Sequence, residues 1–293
     1  MPQTAAASAE SIFALSDEKF DALEKKKQKE LIEQAELYIV NNLEPVPWRN
    51  ARCLRDRSPQ IKESRVWLEL RRQVLCCSEV STLMALNESM SRGKLMRIKR
   101  GEEEPKKPDE IGRRMMDYGS ITEAVVLDHI RRWLPFPLIT DLGRLRHKFI
   151  HRLEGTPDGV SVNENGDMIP FEVKCRSYPH PFDAVPYSTK FDVPLKYWVQ
   201  LLLYMHLLGA PYGFLVNYTP LHGIKIFRIS GHITAVYGEI LGVIDEYFHG
   251  TLTERLPTGY KAKILLKMNE MVQERVLECN PDDVFLYMGS KCM

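Results

Sequence analysis

The stretch Glu154-Gly155-Thr156-Pro157-Asp158-Gly159, followed shortly by Phe171-Glu172-Val173-Lys174-Cys175, decides how this chain is read. It predicts a strand carrying Asp158, a tight turn, and a second strand carrying Glu172 and Lys174. The residues between, Asn163-Glu164-Asn165-Gly166-Asp167, are dense in turn formers, as a hairpin requires. Strand side chains alternate faces, so Glu172 and Lys174 point one way and Val173 the other. A neighbouring strand can bring Asp158 to the same face. Two carboxylates and one ammonium then converge on one spot.

Such a spot suits phosphodiester hydrolysis. Hard oxygen ligands suit Mg²⁺ or Mn²⁺. Such an ion polarises the phosphoryl oxygen, helps ionise the attacking water and stabilises the leaving oxygen. Lys174 is placed to orient the nucleophile and to balance transition-state charge. An ordinary hairpin with an ion pair fits the spacing equally, so the rest of the chain has to decide.

At 293 residues the chain is one large domain or a domain with extensions, and 44% apolar residues are ample for a core. The net charge of +1 excludes a protein that is basic as a whole, so nucleic-acid binding needs a local basic surface. The six cysteines (53, 76, 77, 175, 279 and 292) contain no CxxC, and adjacent Cys76 and Cys77 make an awkward disulfide. They read as reduced thiols of an intracellular protein, with cytoplasm and nucleus both open. Met1 to Ala14 lacks the plan of a signal peptide, and no apolar run approaches membrane-spanning length. No GxSxG, P-loop, HExxH or dinucleotide glycine fingerprint occurs, and the eight histidines do not cluster at ligand spacing.

Working outward, residues 1–15 read as loose, and Ser16 caps a helix expected to run to about Asn41. Lys25-Lys26-Lys27 there reads as a wet helix face or a nuclear signal. Pro45 and Pro47 break the chain. Residues 60–75 read as helical, with Trp67, Leu70 and Val74 at helix spacing. Ser78 begins another helix, either as its N-cap or as part of a phosphate site with Arg71 as charged partner. Residues 92–107 (Arg92, Lys94, Arg97, Lys99, Arg100, Glu102 to Glu104, Lys106, Lys107) read as a mobile loop or helix end.

Gly119-Ser120 opens a helix to about Leu134, with Ile121, Ala124, Val125, Leu127, Ile130 and Trp133 inward. Ser120 and Glu123 have capping-box spacing, so Glu123 is a cap or an acid facing a metal. Leu142–Ile150 reads as a strand with Arg144, Arg146 and Lys148 on one face, suited to a phosphate backbone or to half exposure. Pro194 introduces a helix over 195–208, closed by Gly209, in which Gln200 sits among apolar neighbours and needs a partner. A hairpin, Gly213–Tyr218 with Ile224–Ile229, follows. Helices over 233–249 and 259–278 and an apolar tail patch (Val284, Phe285, Leu286, Tyr287) complete the chain.

The order of these pieces resembles the PD-(D/E)xK nuclease superfamily, through Pro157-Asp158 and Glu172-Val173-Lys174. More narrowly it is similar to lambda-exonuclease-like enzymes, which include the YqaJ viral recombinases and relate to viral alkaline nucleases. Five patterns agree in order: Trp67-x-x-x-Arg71 with Cys77-Ser78-Glu79-Val80; Gly119-x-x-x-Glu123; Thr156-Pro157-Asp158-Gly159; Glu172-Val173-Lys174-Cys175; and Gln200 in a Tyr/Leu-rich helix. The resemblance covers about residues 60–230 and favours the nuclease over the plain hairpin.

The resemblance implies an α/β fold with a PD-(D/E)xK restriction-endonuclease-like core: a central mixed sheet flanked by helices, with helical extensions at both ends. The expected divisions are 1–59, a helical extension; 60–250, the core; and 251–293, a second helical extension. It implies that Asp158, Glu172 and the Val173 carbonyl hold Mg²⁺, with Mn²⁺ as a substitute. Two ions per site are expected, Glu123 supporting the second ion or its water. Lys174 would hold the attacking water, and Gln200 would position Lys174 or that water. Arg71 and Ser78 would hold the 5′-phosphate of the strand being cut, giving 5′ to 3′ polarity. Double-stranded DNA with a free end is the expected substrate and a single-strand annealing protein an expected partner. A ring-shaped trimer and a monomer both stay open, because residues 1–60 and the last 40 or so have no counterpart in the family. An endonuclease of the same core, acting on DNA or RNA, a restriction-type or repair endonuclease with base readout, and a non-catalytic nucleic-acid-binding protein are the alternatives.

Overall fold

The computed structural model describes residues 15–41, 44–45, 51–54, 65–87, 89–140, 142–150, 152–175, 194–220, 223–230, 234–260, 263–264 and 272–279. The expectations for residues 1–14, the side chain of Trp67 and the tail 280–293 fall outside the described residues.

Two sheets organise the fold. The larger has six strands in the order β11-β10-β9-β8-β7-β4: β4 (Leu138–Ile139), β7 (Gly159–Val162), β8 (Met168–Cys175), β9 (Gly213–Thr219), β10 (Gly223–Ser230) and β11 (Val272–Cys279). Only β8 and β9 are parallel; every other neighbouring pair is antiparallel. The smaller sheet runs β1-β2-β5-β6-β3: β1 (Glu44–Pro45), β2 (Ala51–Leu54), β3 (Leu75–Cys76), β5 (Arg144–His147) and β6 (Leu153–Gly155). This is the expected mixed α/β architecture.

The expected hairpin forms between β7 and β8. Asn163 closes its turn, accepting on its carbonyl from Gly166 N–H at 2.9 Å, with Gly166 at φ 78°. That left-handed conformation strains any residue with a Cβ, so glycine fits there. Strand β8 is buried along most of its length, because β7 and β9 flank it and helices cover it. A parallel strand covered on both faces reads as a near-continuous apolar run, and Met168-Ile169-Pro170-Phe171 is one.

Helix α7 (Leu195–Leu208) crosses from β8 to β9. Pro194 opens it and Gly209, at φ 66°, closes it, as expected. It is buried nearly all round: Trp198, Val199, Leu201, Leu202, Leu203, Met205 and Leu207 are fully inaccessible. A helix apolar on every side must lie inside the protein. Here α7 lies between the larger sheet and the short helix α4 (Cys77–Leu83). Helix α8 (Thr234–Phe248) follows the β9–β10 hairpin, again as expected.

Five expectations change. The N-terminal helix is two helices, α1 (Asp17–Asp21) and α2 (Lys25–Asn41). Ser16 does cap the first, accepting from Lys19 N–H, but the chain turns at Ala22, whose N–H closes back on Glu18. Residues 51–54 pair with β5, so the N-terminal extension is not purely helical. At the other end, residues 272–279 are a strand pairing with Ile224–Ser230, not the end of a helix over 259–278. Long-range pairing with a sheet edge outweighs local helix propensity there.

The helix expected at Gly119 begins nine residues earlier, as α6 (Glu110–Arg131), because Asp109 Oδ1 accepts from Gly112 N–H at 2.8 Å and caps it. Its inward residues are Thr122, Val126, Leu127, His129 and Ile130, while Ile121, Ala124 and Trp133 are exposed. Finally, in the stretch expected as a mobile loop or helix end, residues 92–99 form a helix, α5. Arg97 and Arg100 reach Glu254 at 3.2 and 2.6 Å, and Arg97 also reaches Glu103 at 3.1 Å.

Candidate active site

The decisive stretch joins the two sheets. Strand β6 ends at Gly155 in the smaller sheet, and β7 begins at Gly159 in the larger one. Thr156, Pro157 and Asp158 form the link. Its course is held tightly. A Cβ added at Gly155 would lie 2.6 Å from Tyr204 Cε1 and 2.8 Å from Cys77 Sγ, so only glycine fits between α7 and α4. Tyr204 OH donates to the Thr156 carbonyl at 3.0 Å and accepts from Gln200 Nε2 at 2.8 Å. Buried Gln200 thus has the partner its position demands. That partner is Tyr204, which steadies the turn before Asp158.

Asp158 itself is clamped to β8. Its N–H donates to the Phe171 carbonyl at 3.1 Å, and its Oδ2 accepts from Val173 N–H at 2.6 Å. Residues 171 and 173 of a strand present their backbone groups to the same edge, so the Val173 carbonyl faces the side on which Asp158 lies. Glu172 is 0% exposed. Its Oε1 is in contact with the Lys174 ammonium, which confirms that the two side chains share a face. Its Oε2 has no hydrogen-bond partner among the described residues.

The electrostatics bring the same groups together. Burial pushes the Glu172 carboxyl above the ordinary carboxylate range and the Asp158 charge pushes it further; Lys174 opposes both, and Glu123 adds a smaller upward push. Burial alone would pull Lys174 down, but the Glu172 and Asp158 charges outweigh it and hold the ammonium above its usual value. Lys174 Nζ also stands 5.2 Å from the centre of the Tyr197 ring. Cys175, the next residue of β8, has its thiol pushed up by burial and by the charges of Glu123 and Asp158.

Glu123 therefore lies within the field of the site, brought there by α6 packing on β8. The capping reading of Glu123 fails, since Ser120 and Glu123 are interior to a helix that starts at Glu110. Among the described residues, no three His, Cys, Asp or Glu side chains stand together at metal-ligating distances. Asp158, Glu172 and the Val173 carbonyl are nevertheless the hard oxygen donors that Mg²⁺ prefers, and Mg²⁺ completes its shell with waters. The buried, unpartnered Oε2 of Glu172 is the observation that fits a cation.

A second locus lies along α4. Arg71, in the last turn of α3 (Arg65–Gln73), is exposed and reaches Cys76 Sγ at 3.7 Å. Ser78 is exposed at the second position of α4, with Cys76 as the N-cap, so the N-cap reading of Ser78 is corrected. Buried Cys77 connects the two loci: burial raises its thiol, and the charges of Cys76, Glu154 and Glu172 add to the shift. The basic strand turns out differently. β5 is interior to its sheet, between β2 and β6. Arg146 Nε donates to Glu154 Oε1 at 2.7 Å, and Arg144 Nη1 reaches Glu154 Oε2 at 2.8 Å. Glu154 and Arg146 are both buried. Arg144 and Arg146 share a face as expected, but that face is turned onto Glu154 and is not an open track for phosphates. Lys148 follows the strand and is half-buried.

Sequence alone did not single out Glu154, Tyr204 or Tyr197 for a role. Glu154 was visible only as the first residue of the decisive stretch, and the tyrosines only as neighbours of Gln200 on one helix face.

Fold and site define a class, the PD-(D/E)xK-type nuclease fold: a mixed sheet with an acidic hairpin, covered by helices. Within that class, the family model of the YqaJ-like viral recombinase domain matches residues 66–211, and this segment of the chain belongs to that family. The match spans Arg71, Ser78, Glu123, Asp158, Glu172, Lys174 and Gln200. Among solved structures the chain is similar to the alkaline exonuclease LHK-Exo from Laribacter hongkongensis, at 17% identity and a TM-score of 0.50, covering 69% of this chain and 95% of that one. The complex of LHK-Exo with dAMP aligns at 18% identity and a TM-score of 0.49, with the same coverage. No curated protein matches the chain. Among the described residues no helix is long and apolar enough to cross a membrane.

Proposed function

We propose that the protein is a metal-dependent 5′ to 3′ exonuclease that degrades one strand of linear double-stranded DNA from a 5′-phosphorylated end. The observation that carries this reading is the convergence of fully buried Glu172 with half-buried Asp158 and Lys174 where β8 meets the link between the sheets. Burying a carboxylate against a second carboxylate and an ammonium is costly and usually fails to repay itself in stability, so the cluster is better explained by chemistry.

Asp158, Glu172 and the Val173 carbonyl would hold Mg²⁺, or Mn²⁺ in its place, and Glu123 would support a second ion. A divalent ion bound there supplies Lewis-acid polarisation of the scissile phosphate and lowers the pKa of the attacking water. Lys174, beside Glu172, would orient the attacking water for in-line attack and balance charge at phosphorus. Gln200 acts through Tyr204 on the Thr156-Pro157-Asp158 turn, and so holds Asp158 and indirectly Lys174 in register. The Arg71 guanidinium and the Ser78 hydroxyl bind the terminal 5′-phosphate, a charge-assisted contact that sets polarity. Mononucleotides and a 3′ single-stranded tail are the products, and the tail is the substrate of a single-strand annealing protein.

The test is incubation with Mg²⁺ and linear duplex bearing either a 5′-phosphate or a 5′-hydroxyl, with a closed circle, Lys174→Ala and EDTA alongside. Fast loss of the phosphorylated end, survival of the circle and two dead controls support the reading. Equal nicking of the circle overturns end recognition and leaves an endonuclease. Binding to duplex without any cleavage, with or without metal, leaves a nucleic-acid-binding protein.

A further inference from the structure

Lys99 stands outside the active-site cluster, in the last turn of α5, within a stretch whose composition reads as solvated charge. Its side chain is only 4% exposed. Its ammonium donates to the carbonyl of Arg71 at 2.8 Å and to that of Val74 at 2.7 Å, and lies 2.7 Å from Glu79 Oε2. Those three contacts use all three donors of the group. Glu79 Oε2 also accepts from Cys76 N–H at 2.8 Å. Lys99 therefore ties the end of α3 to the start of α4 across the intervening strand β3. The residues on either side of that tie are Arg71 and Ser78, both exposed.

The support behind Lys99 is firm. On its far side α5 is pinned by the Arg97 and Arg100 pairs with Glu254. At its start, buried Arg92 donates through Nε to the Leu83 carbonyl at the end of α4 and through Nη1 to Thr253 O at 3.3 Å. So α5 braces α4 at both ends, Arg92 at the last residue and Lys99, through Glu79, near the first.

We propose that Lys99 is a positioning residue for recognition of the DNA end: it sets the separation and orientation of Arg71 and Ser78, so that one terminal phosphate meets both. This rests on the end-binding reading above. A neutral side chain at 99 leaves two helix-end carbonyls and the Glu79 carboxylate without their shared donor. The two phosphate ligands then lose their common anchor.

The experiment compares kcat/KM for linear duplex with a 5′-phosphate and with a 5′-hydroxyl, in wild type, Lys99→Met and Glu79→Gln, with thermal unfolding of each. The expected result is a fall of about tenfold or more in the phosphate-to-hydroxyl ratio in Lys99→Met, driven by KM for the phosphorylated end, as losing a charged hydrogen-bond network predicts. A purely structural lysine would lower activity on both ends alike and leave the ratio intact, which overturns the proposal. If Lys99→Met does not fold, Glu79→Gln is read in the same way: a reduced ratio supports the proposal and a wild-type ratio overturns it. A wild type that does not discriminate the two ends overturns the end-binding reading together with this one. Discrimination kept in both variants overturns only the role of Lys99.

Discussion

Asp158 accepts a hydrogen bond on Oδ2 from the backbone N–H of Val173 at 2.6 Å. The bond couples the link between the sheets to the middle of the Glu172-Val173-Lys174 segment. The acid of one strand is thereby locked to the strand that carries its partners, and the carboxylate separation does not depend on flexible side chains. Several expectations come from that arrangement and its surroundings.

In the proposed mechanism Lys174 balances charge at the reacting phosphate. Lys174→Met should lower single-turnover cleavage of linear duplex by about 10²–10³-fold, with duplex affinity changed by less than about threefold. A loss under tenfold would remove Lys174 from the chemistry.

Glu172 has its pKa raised by burial and by the Asp158 charge. A cation at that carboxylate competes with the proton. Affinity for Mg²⁺ should therefore fall as pH drops through the raised pKa and climb above it. Calorimetric titration in buffers of different ionisation enthalpy should show proton release on Mg²⁺ binding in wild type and none in Glu172→Gln. Equal proton release in both would place the proton elsewhere.

For Glu123, the two readings separate cleanly. A capping residue would cost about 1 kcal/mol on replacement. Since α6 begins at Glu110, Glu123→Gln should leave urea-unfolding stability within about 0.5 kcal/mol while reducing metal-dependent cleavage. Loss of stability with full activity would restore the structural role.

Gly155 has no room for a methyl group between Tyr204 and Cys77. Gly155→Ala should destabilise by about 1–3 kcal/mol in chemical denaturation and displace Tyr204 from the Thr156 carbonyl, which lowers activity as well. An unchanged midpoint would mean that α7 can move away freely.

Glu154 pairs with both Arg144 and buried Arg146. Glu154→Gln removes the buried carboxylate that Arg144 and Arg146 share and should cost about 3–5 kcal/mol, measured by urea unfolding. Replacing Arg144, Arg146 and Glu154 together by apolar residues should recover much of that loss. If the triple variant is as unstable as Glu154→Gln, the cost does not come from losing the shared ion pairs.

The local sequence determined those features that depend on near neighbours along the chain. The turn residues 163–167 specify the β7–β8 hairpin, strand alternation puts Glu172 beside Lys174, and Pro194 and Gly209 delimit α7. Each is a short-range property of dihedral preference or side-chain period. Only the tertiary structure decided the rest. Gln200 found Tyr204 because α7 is buried against the inter-sheet link. Glu123 was freed from a cap because Asp109, fourteen residues upstream, starts the helix. Arg146 was drawn onto Glu154 because β5 and β6 pair in that register, and residues 272–279 became a strand because β10 offered an edge. Lys99 reads as one more solvated charge until α3, α4 and α5 pack together. Burial and long-range pairing are set by the whole chain, so no local pattern carries them.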